Sequence, residues 1–114
     1  MNVKKFEIVI LETVRQFLKK LDKKASKKIV FNMKKAQVTV DPDLFKKLTD
    51  EIWEFRTKYN KNYYRLLAFW DKTDNKETLV VCVHGFIKKT RKTPKSDIEK
   101  AKLIMKKYFE NGNK

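Results

Sequence analysis

The sequence has little of what most small enzymes use to build a reactive site. Two glycines in 114 residues leave no glycine-rich loop to wrap a phosphate and no obvious flexible lid. One histidine, His84, and one cysteine, Cys82, leave no Cys/His ligand cluster and no Ser/His/Asp pattern, which sets metal sites and triad hydrolases aside. A lone cysteine inside an apolar run cannot close an intramolecular disulfide; it fits a reducing interior and reads as a small buried hydrophobe. No apolar run approaches the roughly 20 residues that a membrane span needs. The opening Met-Asn-Val-Lys-Lys-Phe lacks the long apolar core of a signal peptide, so the expected location is the cytoplasm, with no membrane partner.

Acidic residues are also scarce. Lys and Arg number 29 against 14 Asp and Glu, a formal net charge of +15. Such a field concentrates polyanions and speeds encounter with them, which makes nucleic acid the leading partner class. Charge alone does not separate nucleic acid from an anionic membrane or an acidic protein. The length suits one domain over residues 1–114, and 41% apolar against 38% charged residues describes a modest core beneath a crowded ionic surface.

Phe6 to Leu11 is a short β-rich run, followed by Val14, Phe17, Leu18 and Leu21 at helical spacing. Ile29, Met33 and Ala36 or Gln37 continue a helical period beyond Lys23 and Lys24, which predicts two helices packed as a hairpin. Asp41-Pro42-Asp43 ends the second helix, and Leu44 to Asp50 reads as a loop or single turn. From Ile52 the period becomes two: Trp53, Phe55 and Tyr59 alternate with Glu54, Arg56 and Lys58. Tyr63 to Trp70 and Leu79 to Ile87 are nearly continuous apolar runs, so three strands form an antiparallel meander. Thr93-Pro94 predicts a helix entry with Thr93 as its cap, Ser96 competing for that role; Ile98, Ala101, Met105 and Tyr108 mark the buried face. The expected fold class is α+β, an antiparallel sheet with its helices on one side.

Basic residues tied to the strands stand out. Keeping Trp53, Phe55 and Tyr59 on one face with Tyr64, Leu66 and Trp70 predicts the pairing of Tyr59 with Tyr64, and Lys58 directly opposite Arg65. Like charges across a sheet cost roughly as much as the 0.2–1 kcal/mol that favourable pairs contribute. Glu54 and water could screen such a pair, or a phosphate could bridge it. Lys88, Lys89, Arg91 and Lys92 extend the basic cluster into the strand-to-helix joint, and Tyr59, Tyr63 and Tyr64 are candidates for stacking on unpaired bases. His84, near a strand end, reads first as a hydrogen-bonded structural residue.

The strand Ile52-Trp53-Glu54-Phe55-Arg56, the strand Tyr64-Arg65-Leu66-Leu67 and the block from His84 to Pro94, followed by Ile98 and Ala101, resemble the RelE/HigB superfamily of toxins, in its phage-derived, HigB-like branch. The resemblance is close over the C-terminal half; the N-terminal half matches mainly in its strand, helix, helix pattern. It implies a RelE-like fold with an N-terminal helical hairpin and a C-terminal helix, and an endoribonuclease that cuts messenger RNA, usually on the ribosome. It also implies a reaction that needs no metal and no cofactor. The 2′-hydroxyl attacks the adjacent phosphate, and positioning and electrostatic stabilisation lower most of the barrier. Arg56, Arg65 and Lys89 match the phosphate-binding and transition-state residues, with Lys58, Lys88, Arg91 and Lys92 holding RNA. The general base stays open between Glu54, a lysine crowded by other cations, and His84 ranked below both. The implied partner is a helix-turn-helix, HigA-like antitoxin, through which alone operator DNA is reached. Two other readings stand beside this one: a ParE-like gyrase poison of the same fold, and a non-catalytic basic nucleic-acid-binding module.

Overall fold

The computed structural model describes residues 3–73, 79–88 and 92–111. Strand β1 (Glu7–Ile10) leads into helices α1 (Glu12–Lys20) and α2 (Lys23–Val38). Strands β2 (Phe45–Lys47), β3 (Trp53–Tyr59), β4 (Asn62–Trp70) and β5 (Leu79–Lys88) follow, and helix α3 (Lys95–Glu110) ends the described chain. The strand order is β1-β5-β4-β3-β2. The chain begins at one edge, crosses a sheet face through α1 and α2, and returns from the far edge as a meander. Among the described residues no helix is long and apolar enough to cross a membrane.

Three sequence expectations are corrected. The sheet is mixed, because β1 runs parallel to β5 while the other pairs are antiparallel. The helices cover both faces. Val14, Ala25, Ile29, Met33 and Ala36 of α1 and α2 pack with Phe55, Leu66 and Cys82 on one side, and Ala101 of α3 packs with Ile52, Leu67, Phe69 and Val83 on the other. Continuously apolar β4 and β5 require cover on both faces, a consequence that their composition already carried. Finally, the stretch read as a loop contains β2. Only three residues long, with Lys46 and Lys47 exposed, it is the kind of short, charged edge strand that evades pattern reading and resists edge-to-edge pairing.

The Asp41-Pro42-Asp43 break behaves as expected: α2 ends at Val38, and the Asp41 side chain accepts the Asp43 backbone N–H at 2.9 Å. The β3–β4 connection is a two-residue turn at Asn60-Lys61, both with positive φ, as a tight hairpin of matching twist demands. In β5 the register slips by one residue: Leu67 faces His84, Ala68 faces Cys82, and Val83 is the extra residue of a bulge. The Val83 carbonyl accepts the Thr13 hydroxyl of α1 at 2.8 Å. Beyond the bulge the alternation is inverted, so His84, Phe86 and Lys88 join the α3 face and Gly85 turns to α1. A Cβ at Gly85 would lie 2.5 Å from the Phe17 ring and 2.9 Å from Leu66, so only glycine lets α1 pack this closely.

Candidate functional site on the α3 face

The two-residue turn sets the register that builds the site. Tyr59 pairs with Asn62, Lys58 with Tyr63, and Arg56 with Arg65. The expected pairing of Lys58 with Arg65 is therefore wrong by two residues, because the turn is shorter than the aromatic pattern alone suggested. A two-residue slip preserves the faces, so Glu54, Arg56 and Lys58 still share a side with Arg65. The like-charged pair that faces across the sheet is Arg56 with Arg65.

Glu54 is the counter-ion that holds them. Its carboxylate and the Arg65 side chain are almost fully buried, with Arg65 Nε 2.9 Å from Glu54 Oε1. Arg56 Nε stands 3.9 Å from the other carboxylate oxygen, and the Thr93 hydroxyl donates to Oε1. Burial pulls the Arg65 guanidinium below its ordinary value, and the neighbouring Arg56 adds to that, while Glu54 opposes both. Thr93 thus has a different task from the one expected: α3 begins at Lys95 with Pro94 in the cap position, and the threonine ties the strand-to-helix joint to Glu54. The Thr-Pro pair is a strong helix-entry signal, and it masked this contact.

A cleft of about 250 Å³ opens over the arginines, walled by Asp43, Arg56, Thr57, Lys58, Tyr63 and Arg65. Arg65 lies 5.4 Å and Lys58 Nζ 5.5 Å from the Tyr63 ring centre, so the ring is bracketed by cations. Of the three tyrosines expected to stack on bases, only Tyr63 is on this face; Tyr59 and Tyr64 belong to the core under α1 and α2.

Lys88 pairs in register with Tyr63, and its side chain is 9% exposed. Among the described residues its ammonium has no hydrogen-bond partner. Burial lowers its pKa, with Arg65 and Lys92 adding to the shift and Glu54 and Asp97 opposing it. A base whose folded pKa lies below its unfolded value costs stability while it is charged. That cost is fully present below the folded pKa and disappears as pH rises to about 10.4, the unfolded value. Lys88→Met is therefore expected to raise the melting temperature at pH 7 and to shrink the gain that wild type makes on moving to alkaline pH. Thermal melts of both proteins between pH 6 and 10 check this; a lower melting temperature for Lys88→Met at pH 7 contradicts it.

His84 Nε2 is 2.7 Å from Asp97 Oδ1 at the start of α3, and its ring stacks on Phe86 at 5.4 Å. This pair fastens α3 to β5 and sits one register step away from the arginines, since His84 faces Leu67 while Phe86 faces Arg65. Lys92 is exposed beside the joint, whereas Lys89 and Arg91 lie outside the described residues. Neither Asp97 nor Thr93 was read from sequence as a site residue, Thr93 being expected only as a helix cap, and no spacing rule marks the contacts that they make.

The family comparison bears on the same region. Residues 16–106 match the model of the phage-derived protein Gp49-like family (DUF891), from the middle of α1 through most of α3. The chain belongs to the Gp49-like family. This family is associated with toxins of toxin–antitoxin systems that are RelE-like. Neither the comparison with curated proteins nor that with solved structures gave a match. The Gp49-like match covers Glu54, Arg56, Arg65, Lys88 and Thr93 together, so the buried ion pair and the cleft above it lie within the matched residues.

Proposed function

We propose that this Gp49-like protein is the toxin of a type II toxin–antitoxin system and acts as an endoribonuclease on messenger RNA, on the translating ribosome. The observation that carries the reading is the facing Arg56–Arg65 pair, gathered on one buried carboxylate beneath a cleft of about 250 Å³. The 2′-hydroxyl gives up its proton as its oxygen bonds to phosphorus, the bond to the 5′-oxygen breaks and that oxygen takes up a proton, leaving a 2′,3′-cyclic phosphate and a 5′-hydroxyl with no net change in protons. Arg56, partly exposed on the cleft wall, meets the charge that grows on the non-bridging oxygens, and the buried Arg65, fixed in advance by Glu54, adds its field from beneath without reorganisation. Lys88 adds a desolvated ammonium, Lys58 and Lys92 hold the flanking strand, and Tyr63 offers a face for a base. Lys89 and Arg91 keep their expected part in phosphate and RNA contact. The partner is a helix-turn-helix, HigA-like antitoxin, whose acidic surface the +15 charge favours.

The test is cleavage of a defined messenger RNA with and without ribosomes, with the new ends mapped. Codon-phased cuts bearing 2′,3′-cyclic phosphate and 5′-hydroxyl ends are expected, lost when the nucleotide on the 5′ side of the cut is 2′-deoxy. RNA left intact in both settings overturns the proposal. Intact transcripts together with DNA-damage signalling in induced cells would transfer the assignment to gyrase poisoning.

A further inference from the structure

Helix α2 breaks the rules that stabilise helices, and its core contacts do not need it to. Its sixteen residues hold six lysines and no acid, with Lys23 and Lys24 in the first turn, where the helix dipole favours negative charge. Lys23 and Lys27, and Lys24 and Lys28, are like-charged neighbours at i and i+4. All six lysines are exposed, and among the described residues none is ion-paired. Asp22 at the cap position makes no side-chain cap hydrogen bond, and only Lys35, in the last turn, suits the dipole; a local conflict so little compensated inside the fold points to compensation from outside it.

The same face carries Phe31, 59% exposed, with Lys28 Nζ 5.6 Å from its ring centre. Beside the ring is a shallow hollow of about 360 Å³ walled by Ser26, Lys27, Val30, Phe31 and Lys34. α2 packs on the side of the sheet away from the arginine cleft, so this surface is separate from the site described above.

We propose that the outer face of α2 is a second RNA-holding surface, on which Phe31 stacks an unpaired base and the lysines around it take the adjoining phosphates. An acidic protein segment would neutralise the lysines equally well. Protein anchors, however, are centred in well-packed pockets shielded from water by surrounding contacts. Here one ring stands among ammonium groups, with Val30 only half-buried beside it. A lone aromatic face within a row of cations is the composition of a single-strand stacking platform. The proposal goes beyond the cleavage reading and stands or falls on binding alone.

It is tested with a fluorescent 12-nucleotide 2′-O-methyl RNA, which 2′-hydroxyl attack cannot cut, titrated against the full chain and followed by anisotropy. Phe31→Ala is expected to weaken binding about tenfold, and Phe31→Trp to preserve it. Lys27→Ala with Lys34→Ala is expected to reduce the slope of log affinity against log salt by about 1.4, the value for two single-strand phosphate contacts. All three substituted positions lie on an exposed face, and circular dichroism checks that each variant is folded. Wild-type affinity and salt slope in these variants overturn the proposal. So does a Phe31→Ala that leaves RNA binding intact but weakens binding of poly-glutamate, which would make the face one for an acidic protein. If wild type binds this RNA through α2 yet cuts no message, the cleavage reading fails and this one stands.

Discussion

Arg56→Ala is expected to lower the rate of RNA cleavage by about 10²–10³-fold while leaving the protein folded. Arg56 is the member of the facing pair that protein contacts hold least. Its Nε sits 3.9 Å from Glu54, its terminal nitrogen reaches the Pro42 carbonyl only at 3.5 Å, and its side chain is partly exposed along the cleft. Removing it leaves Glu54 with Arg65 and Thr93, so no buried charge is stranded. It also relieves the repulsion with Arg65. The loss should therefore appear in the chemical step, measured as single-turnover cleavage at saturating enzyme, with a melting temperature at or slightly above that of wild type. Arg56→Lys should recover part of the rate, since a lysine supplies charge without the two-pronged geometry that fits a phosphate. In cells, induction of Arg56→Ala should no longer arrest growth. A fully active Arg56→Ala would place the scissile phosphate elsewhere on the sheet.

The faces of the candidate site were legible in the sequence because they follow from alternation. Trp53, Phe55 and Tyr59 against Glu54, Arg56 and Lys58 fix which side chains share a side of β3, and any even slip of the partner strand preserves that assignment. What alternation leaves open is the register, which the Asn60-Lys61 turn decides. Its two left-handed residues are neither glycine nor an Asn-Gly pair, so the turn gave no recognisable signal. The bulge at Val83 was hidden for a related reason: every residue from Leu79 to Val83 is apolar, so an inserted position disturbs no pattern. Yet the bulge is what turns Lys88 and His84 toward α3. The second helical layer was missed because the amphipathic helices were assigned to a sheet with one open face, although the nearly continuous apolar runs of β4 and β5 leave none. The long-range partners of the polar residues, Thr93 for Glu54 and Asp97 for His84, are separated from them by 39 and 13 positions, beyond the reach of any local rule.

Arg65→Ala should have the largest effect on stability, about 3–5 kcal/mol, because it leaves the Glu54 carboxylate buried beside Thr93 without its main counter-charge. Its inactivity would for that reason say little about catalysis. The informative comparison is a cycle of Glu54→Leu, Arg65→Met and the two combined, followed by chemical denaturation. Each single variant should be severely destabilised. The double variant should recover most of the loss, since apolar groups of similar size can replace a buried ion pair at little net cost. Restored folding without restored cleavage would assign Arg65 to the reaction and not merely to the core. Glu54→Gln then separates the two roles open to the carboxylate. Stability falls in either case, because Arg65 is left buried without its counter-charge. As the general base, Glu54 would lose nearly all cleavage on this change; as the anchor of two arginines, it would lose only a smaller part of the rate. The geometry favours the second outcome, because both carboxylate oxygens already face the protein's own groups, Oε1 toward Arg65 and Thr93 and Oε2 toward Arg56, before any RNA arrives.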